Sequence, residues 1–192
     1  MGVFSARTII TTISLFHIIA GYYFITSPVS LADHSLVFVI GEAMGMPQEP
    51  SLEKHSPALA FMAVIIAIMG LTDLVSLTLP EEVCIIHHWG TQAPLRLFIS
   101  LILLAYTFAF SPSSPIYADP KARGHTSRPD AHSRNPGYVA SSWGGDGLKN
   151  RVFFAFMFIE MVSWFSLWVT LRDERRAILA KNERKRAHTH TE

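Results

Sequence analysis

Four ionisable side chains stand inside otherwise apolar stretches of the sequence: His17, Asp73, Arg96 and Glu160. An Asp or Arg at bilayer depth costs roughly 2.5–3.5 kcal/mol on insertion scales, so each such group is expected to have a partner or a task. Counted at about 1.5 Å per residue from one boundary, Asp73 falls about 9 Å in and Arg96 about 3 Å in. An Arg side chain spans that gap, which predicts a structural ion pair between Asp73 and Arg96. His17 and Glu160 fall about 14 and 16 Å in, near the midplane. They are the candidate functional intramembrane residues, because a histidine and a carboxylate in an apolar setting can pass a proton or act as acid and base. No catalytic set is assigned.

Helical spacing groups the neighbours of these residues. Thr11, Ser14, His17 and Gly21 recur at three and four residues, and so do Ala60, Ala63, Ala67, Gly70, Asp73 and Ser76. Stripes of small and weakly polar residues let membrane helices approach closely, so both faces are expected to point inward. Metal chemistry finds less support. Cys84 is the sole cysteine, which excludes an intrachain disulfide and a Cys-based zinc site. Glu81, Glu82, His87 and His88 are too close in sequence to converge on one ion, and His188 with His190 near the end reads as incidental. No metal and no cofactor is expected.

The elements that must carry these residues are long apolar runs at 8–25, 57–79, 94–110 and 152–171. Each approaches or exceeds the length needed to cross about 30 Å of hydrocarbon. With 49% hydrophobic and 16% charged residues, the composition fits an all-α polytopic membrane protein with four transmembrane helices. The first run exceeds a typical signal-peptide core and is expected to remain as a span. A shorter helix at 31–46, opened by a capping box at Ser30 and Asp33 and stopped by Gly45 and Pro47, suits the membrane interface, with Glu42 at headgroup level. Residues 80–93 read as a short interfacial connector anchored by Trp89, and Pro94 as the first turn of the third span.

Residues 111–149, rich in Pro, Gly, Ser and His, read as an irregular loop, and 177–192 as a charged tail beyond a membrane domain at 1–176. The formal charge of +1 comes with no extended basic face, so no nucleic-acid partner is expected. The lipid bilayer and other membrane proteins are the expected partners. Arg172, Arg175 and Arg176 abut the last span and favour a cytosolic N-terminus and C-terminus.

The runs Ala43-Met44-Gly45-Met46-Pro47-Gln48, Gly70-Leu71-Thr72-Asp73-Leu74 and Gln92-Ala93-Pro94-Leu95-Arg96-Leu97 occur in order. With Phe158, Glu160 and the exit Arg172-Asp173-Glu174, the chain resembles the fungal "increased loss of mitochondrial DNA" protein 1 family over residues 8–176. The resemblance implies a small four-span protein of the endoplasmic reticulum membrane, rather than a mitochondrial one, named for a genome-maintenance phenotype and with no established activity. It carries over Asp73, Pro94, Arg96 and Glu160 as family-type polar positions without a catalytic role. The loop at 111–149 looks like an expansion relative to the family.

The leading expectation is therefore a non-enzymatic structural or adaptor subunit that supports mitochondrial genome maintenance indirectly. An ion channel or transporter using His17 and Glu160 is the first alternative. A lipid- or sterol-modifying membrane enzyme is the second.

Overall fold

The computed structural model describes residues 5–48, 52, 56–111, 114, 116 and 143–189. Among them stand α1 (Ala6–Thr26), α2 (Pro28–Ala32), α3 (Ser35–Ala43), α4 (Pro57–Ser76), α5 (Trp89–Ala109) and α6 (Arg151–Thr189), and no strand. Four helical stretches are long and apolar enough to cross a membrane: Ala6–Thr26, Pro57–Ser76, Val83–Ala109 and Arg151–Arg184. Phe61, Val75, Phe98 and Phe165 lie exposed on them. Apolar surface on that scale belongs in lipid. Most of the loop expected at 111–149 lies outside the described residues, as does His190.

The third helical stretch starts earlier than expected. Pro94 lies inside α5, and a π-helical turn, Val83–His88, leads directly into that helix. A proline in a helix interior removes one N–H and crowds the carbonyl four residues back, here that of Gly90. The wider turn upstream absorbs the mismatch. The Thr91 hydroxyl lies 2.9 and 3.0 Å from the carbonyl oxygens of His87 and His88, at the end of the wide turn.

The chain forms two compact units. The first comprises Met1–Tyr22, Met62–Phe98 and Met161–Glu192. Its core is Ala6, Ile10 and Ile13 of α1, Cys84, Ile85, Trp89 and Ala93, and Trp164, Leu167 and Leu171 of α6. Apart from the adjacent Cys84 and Ile85 in the wide turn, those positions recur at three and four residues, so each helix presents one stripe. The small-residue faces of α1 and α4 meet closely: a Cβ on Gly21 would fall 2.7 Å from the Ala63 carbonyl oxygen, and one on Gly70 only 2.6 Å from that of Ser14. Gly70→Leu is expected to lower stability by about 1–3 kcal/mol through overpacking. A thermal melt in mild detergent checks this, with Leu71→Ala on the exposed side as the silent control.

Past Leu171 the charged sequence contains neither Pro nor Gly up to Thr189, and α6 continues through it. The extension returns to the start of the chain. Glu174 Oε1 accepts a hydrogen bond from the Ala6 backbone N–H at 2.8 Å, filling one of the donors that the first turn of α1 leaves open and placing negative charge at its positive end. Glu174→Ala is expected to cost about 1 kcal/mol. Faster amide exchange confined to the first turn of α1 is the accompanying readout.

The second unit comprises Tyr23–Phe61 and Ile99–Glu160. Where one interfacial helix over 31–46 was expected, two short helices stand, broken at Asp33 and His34. The His34 side chain, not the Ser30/Asp33 pair, caps the second of them: its Nδ1 accepts from Leu36 N–H at 3.3 Å. Gly45, with φ of 62°, closes α3. Its N–H bonds the Glu42 carbonyl at 3.0 Å and the Met46 N–H bonds that of Gly41 at 2.8 Å. This is a Schellman ending, which needs the left-handed conformation glycine adopts without strain.

Candidate functional site

Within the first unit, Asp73 lies on α4 and Arg96 on α5, and the structure brings them together. Arg96 Nη1 donates to Asp73 Oδ2 at 2.6 Å and Nη2 to Oδ1 at 2.9 Å. Asp73 is 3% exposed. Parallel bonds of this kind fix direction as well as distance, because the guanidinium fork matches the carboxylate. Aromatic faces enclose the cation: its centre lies 5.4 Å from the Trp89 ring and 4.8 Å from that of Trp164, and the two indoles stack at 5.7 Å. The Trp89 Nε1–H donates to Ser76 Oγ at 3.1 Å, and the Ser76 hydroxyl donates to the Asp73 carbonyl at 2.7 Å. α4, α5 and α6 thus share one polar knot.

Trp89 differs most from its expected place. It is fully buried at 0% exposure rather than anchored at the interface. Because the helix begins before Pro94, Trp89, Ala93 and Arg96 lie on one helical face at steps of four and three, and the indole is carried into the core. That spacing was the available signal, masked by reading Pro94 as a helix start.

His17 is 1% exposed and belongs to the first unit, where its Cβ adjoins the Gly70 approach of α4. Glu160, 7% exposed, belongs to the second. Among the described residues no group of three or more His, Cys, Asp or Glu side chains is arranged to hold a metal ion. His87 is exposed, and His88 turns edge-on to Trp89 at 5.1 Å.

In the second unit a residue with no sequence-based expectation does the joining. Arg151, at the start of α6, donates from Nε to the Met46 carbonyl at 2.8 Å and from Nη2 to Glu42 Oε2 at 2.6 Å. Its backbone N–H bonds the Pro47 carbonyl at 3.0 Å, and its guanidinium centre lies 5.4 Å from the Phe38 ring. Gly41 makes room for the stem, since a Cβ there would fall 2.6 Å from Arg151 Cγ. Glu42, expected at headgroup level, is the acid of this pair. Only the alignment of α3 with α6 brings the two together, 109 residues apart.

Comparison with known proteins follows the same extent of chain. A family model described as increased loss of mitochondrial DNA protein 1 matches residues 4–181. Among curated proteins and among solved structures, none matches the chain.

Proposed function

Because the chain belongs to the increased loss of mitochondrial DNA protein 1 family, we propose that it is a non-enzymatic structural or adaptor subunit of the endoplasmic reticulum membrane. Its effect on mitochondrial genome maintenance is then indirect, through partners in that membrane. The observation that carries this reading is the closed state of the Asp73–Arg96 knot: both carboxylate oxygens are bonded and the cation lies against two indoles. Groups held in this way fix helix packing. Both termini lie on the cytosolic side, with Arg172, Arg175 and Arg176 of α6 at anionic headgroups.

Native purification in mild detergent after in-membrane crosslinking tests the proposal. A reproducible membrane-protein partner at the endoplasmic reticulum is the expected result. A chain that runs alone, with no crosslinked species, contradicts it.

The burial of His17 and Glu160 in membrane-spanning stretches favours a second reading, ion or proton passage. Flux through reconstituted protein that disappears in Glu160→Gln would establish it over the first.

A further inference from the structure

Trp143, in the second unit, is 63% exposed, yet its ring has a defined place. It meets Tyr106 of α5 edge-on, with ring centres 5.8 Å apart and planes at 90°. Gly145 adjoins it as well: a Cβ there would overlap the indole, so a glycine is needed for the ring to lie where it does.

The backbone that carries Trp143 is hydrogen-bonded from end to end. A short 3-10 helix, Gly144–Leu148, follows directly, with the Asp146 N–H donating to the Trp143 carbonyl at 2.9 Å and the Lys149 N–H to that of Asp146 at 3.1 Å. Asn150 then ties this turn to α6. Its Nδ2 donates to the Gly147 carbonyl at 2.7 Å, and its Oδ1 accepts from the Phe153 N–H at 2.8 Å, which caps the helix. A large apolar side chain is thus held outward by a built element.

Two kinds of surface meet at Tyr106. Ile102, Tyr106 and Phe110 recur at four residues along and just past α5, and Ile102 and Phe110 are exposed. They form a lipid-facing stripe at the end of the membrane-crossing stretch Val83–Ala109, with the Phe110 ring 5.4 Å from that of Tyr106. Charge arrives from the other element: Lys149 pairs with Asp146, and its Nζ lies 5.8 Å from the centre of the Tyr106 ring. Tryptophan and tyrosine collect where hydrocarbon gives way to headgroups, because each ring is apolar and carries one polar hydrogen.

We infer that residues Trp143–Asn150 are an interfacial anchor, which folds back on the bilayer beside the end of α5 and sets the Trp143 indole among the glycerol and carbonyl groups of the phospholipids. Continuity favours lipid as the occupant. The stripe Ile102–Tyr106–Phe110 already faces it, and the indole prolongs that surface through its contact with Tyr106. Anchors of this kind set the depth and tilt of the helices they adjoin, here α5 where it ends and α6 where it begins. The anchor goes beyond the adaptor reading and does not depend on it.

The test uses the full chain labelled with fluorotryptophan and reconstituted in phosphatidylcholine nanodiscs. The fluorine resonance missing from both Trp143→Phe and Trp143→Tyr is that of Trp143. Three broadening agents are compared in separate samples: phosphatidylcholine with a nitroxide just below the glycerol, phosphatidylcholine with a nitroxide at the acyl-chain end, and a soluble gadolinium chelate. The Trp143 line is expected to broaden about threefold more with the upper nitroxide than with either of the others. Strongest broadening by the chelate puts the indole in water, as for a surface kept for a partner protein, and overturns the inference. So does strongest broadening by the chain-end nitroxide, which puts the indole in the hydrocarbon, or equal broadening by all three.

Discussion

Asp73→Asn is expected to lower the stability of the detergent-solubilised protein by about 3 kcal/mol, because it leaves the partly buried Arg96 cation without its counter-charge. The aromatic faces of Trp89 and Trp164 retain part of the attraction but replace neither charged hydrogen bond. Arg96→Met alone leaves the carboxylate uncompensated and is expected to lose a similar amount. The double replacement Asp73→Leu with Arg96→Met behaves differently. It removes both charges from a site already lined by indoles, and is expected to fall within about 1 kcal/mol of the unaltered protein or above it. A double-mutant cycle on unfolding midpoints measures the coupling directly. Additive losses would mean that the two side chains do not stabilise one another.

Arg151→Ala carries the second large effect. It removes the bonds to Glu42 and to the Met46 carbonyl and the contact with Phe38, and opens space beside Gly41. A loss of about 2–4 kcal/mol is expected from two charge-assisted bonds in a partly buried setting. Lysine should not rescue it, since a single ammonium cannot reach a carbonyl and a carboxylate in fork geometry. Hydrogen exchange localises the change: amides of α2 and α3 are expected to lose protection while those of the first unit keep theirs. Uniform loss across both units would contradict this assignment.

How far these features could be read from the sequence follows from the range of the interactions. The four spans were legible because an apolar run of membrane length is a local property. Asp73 and Arg96 were legible because consecutive antiparallel segments put residues of similar depth within reach. The Schellman ending of α3 announced itself through Gly45 and Pro47. Arg151 was not legible, because its partners on α3 lie more than a hundred residues away in sequence. The break at Asp33 and His34 depended on which of several polar side chains caps the helix, a competition within one turn. Pro94 misled for a physical reason: a π-helical turn ahead of it lets the helix pass through a residue that would ordinarily begin or break one.

The family name ties the protein to the mitochondrial genome, while the buried polar groups of the first unit tie its residues to packing. The two fit together if the chain acts through partners and its intramembrane ionisable residues carry no transported or reacting species. His17 and Glu160 are where that claim is most exposed. The most direct measurement is the mitochondrial DNA retained by cells whose only copy of this protein carries His17→Gln with Glu160→Gln, both polar replacements of similar size, with abundance monitored in parallel. Retention equal to that of the unaltered protein is the predicted result. Loss of the mitochondrial genome at normal protein abundance would contradict the account and assign the two residues a chemical task.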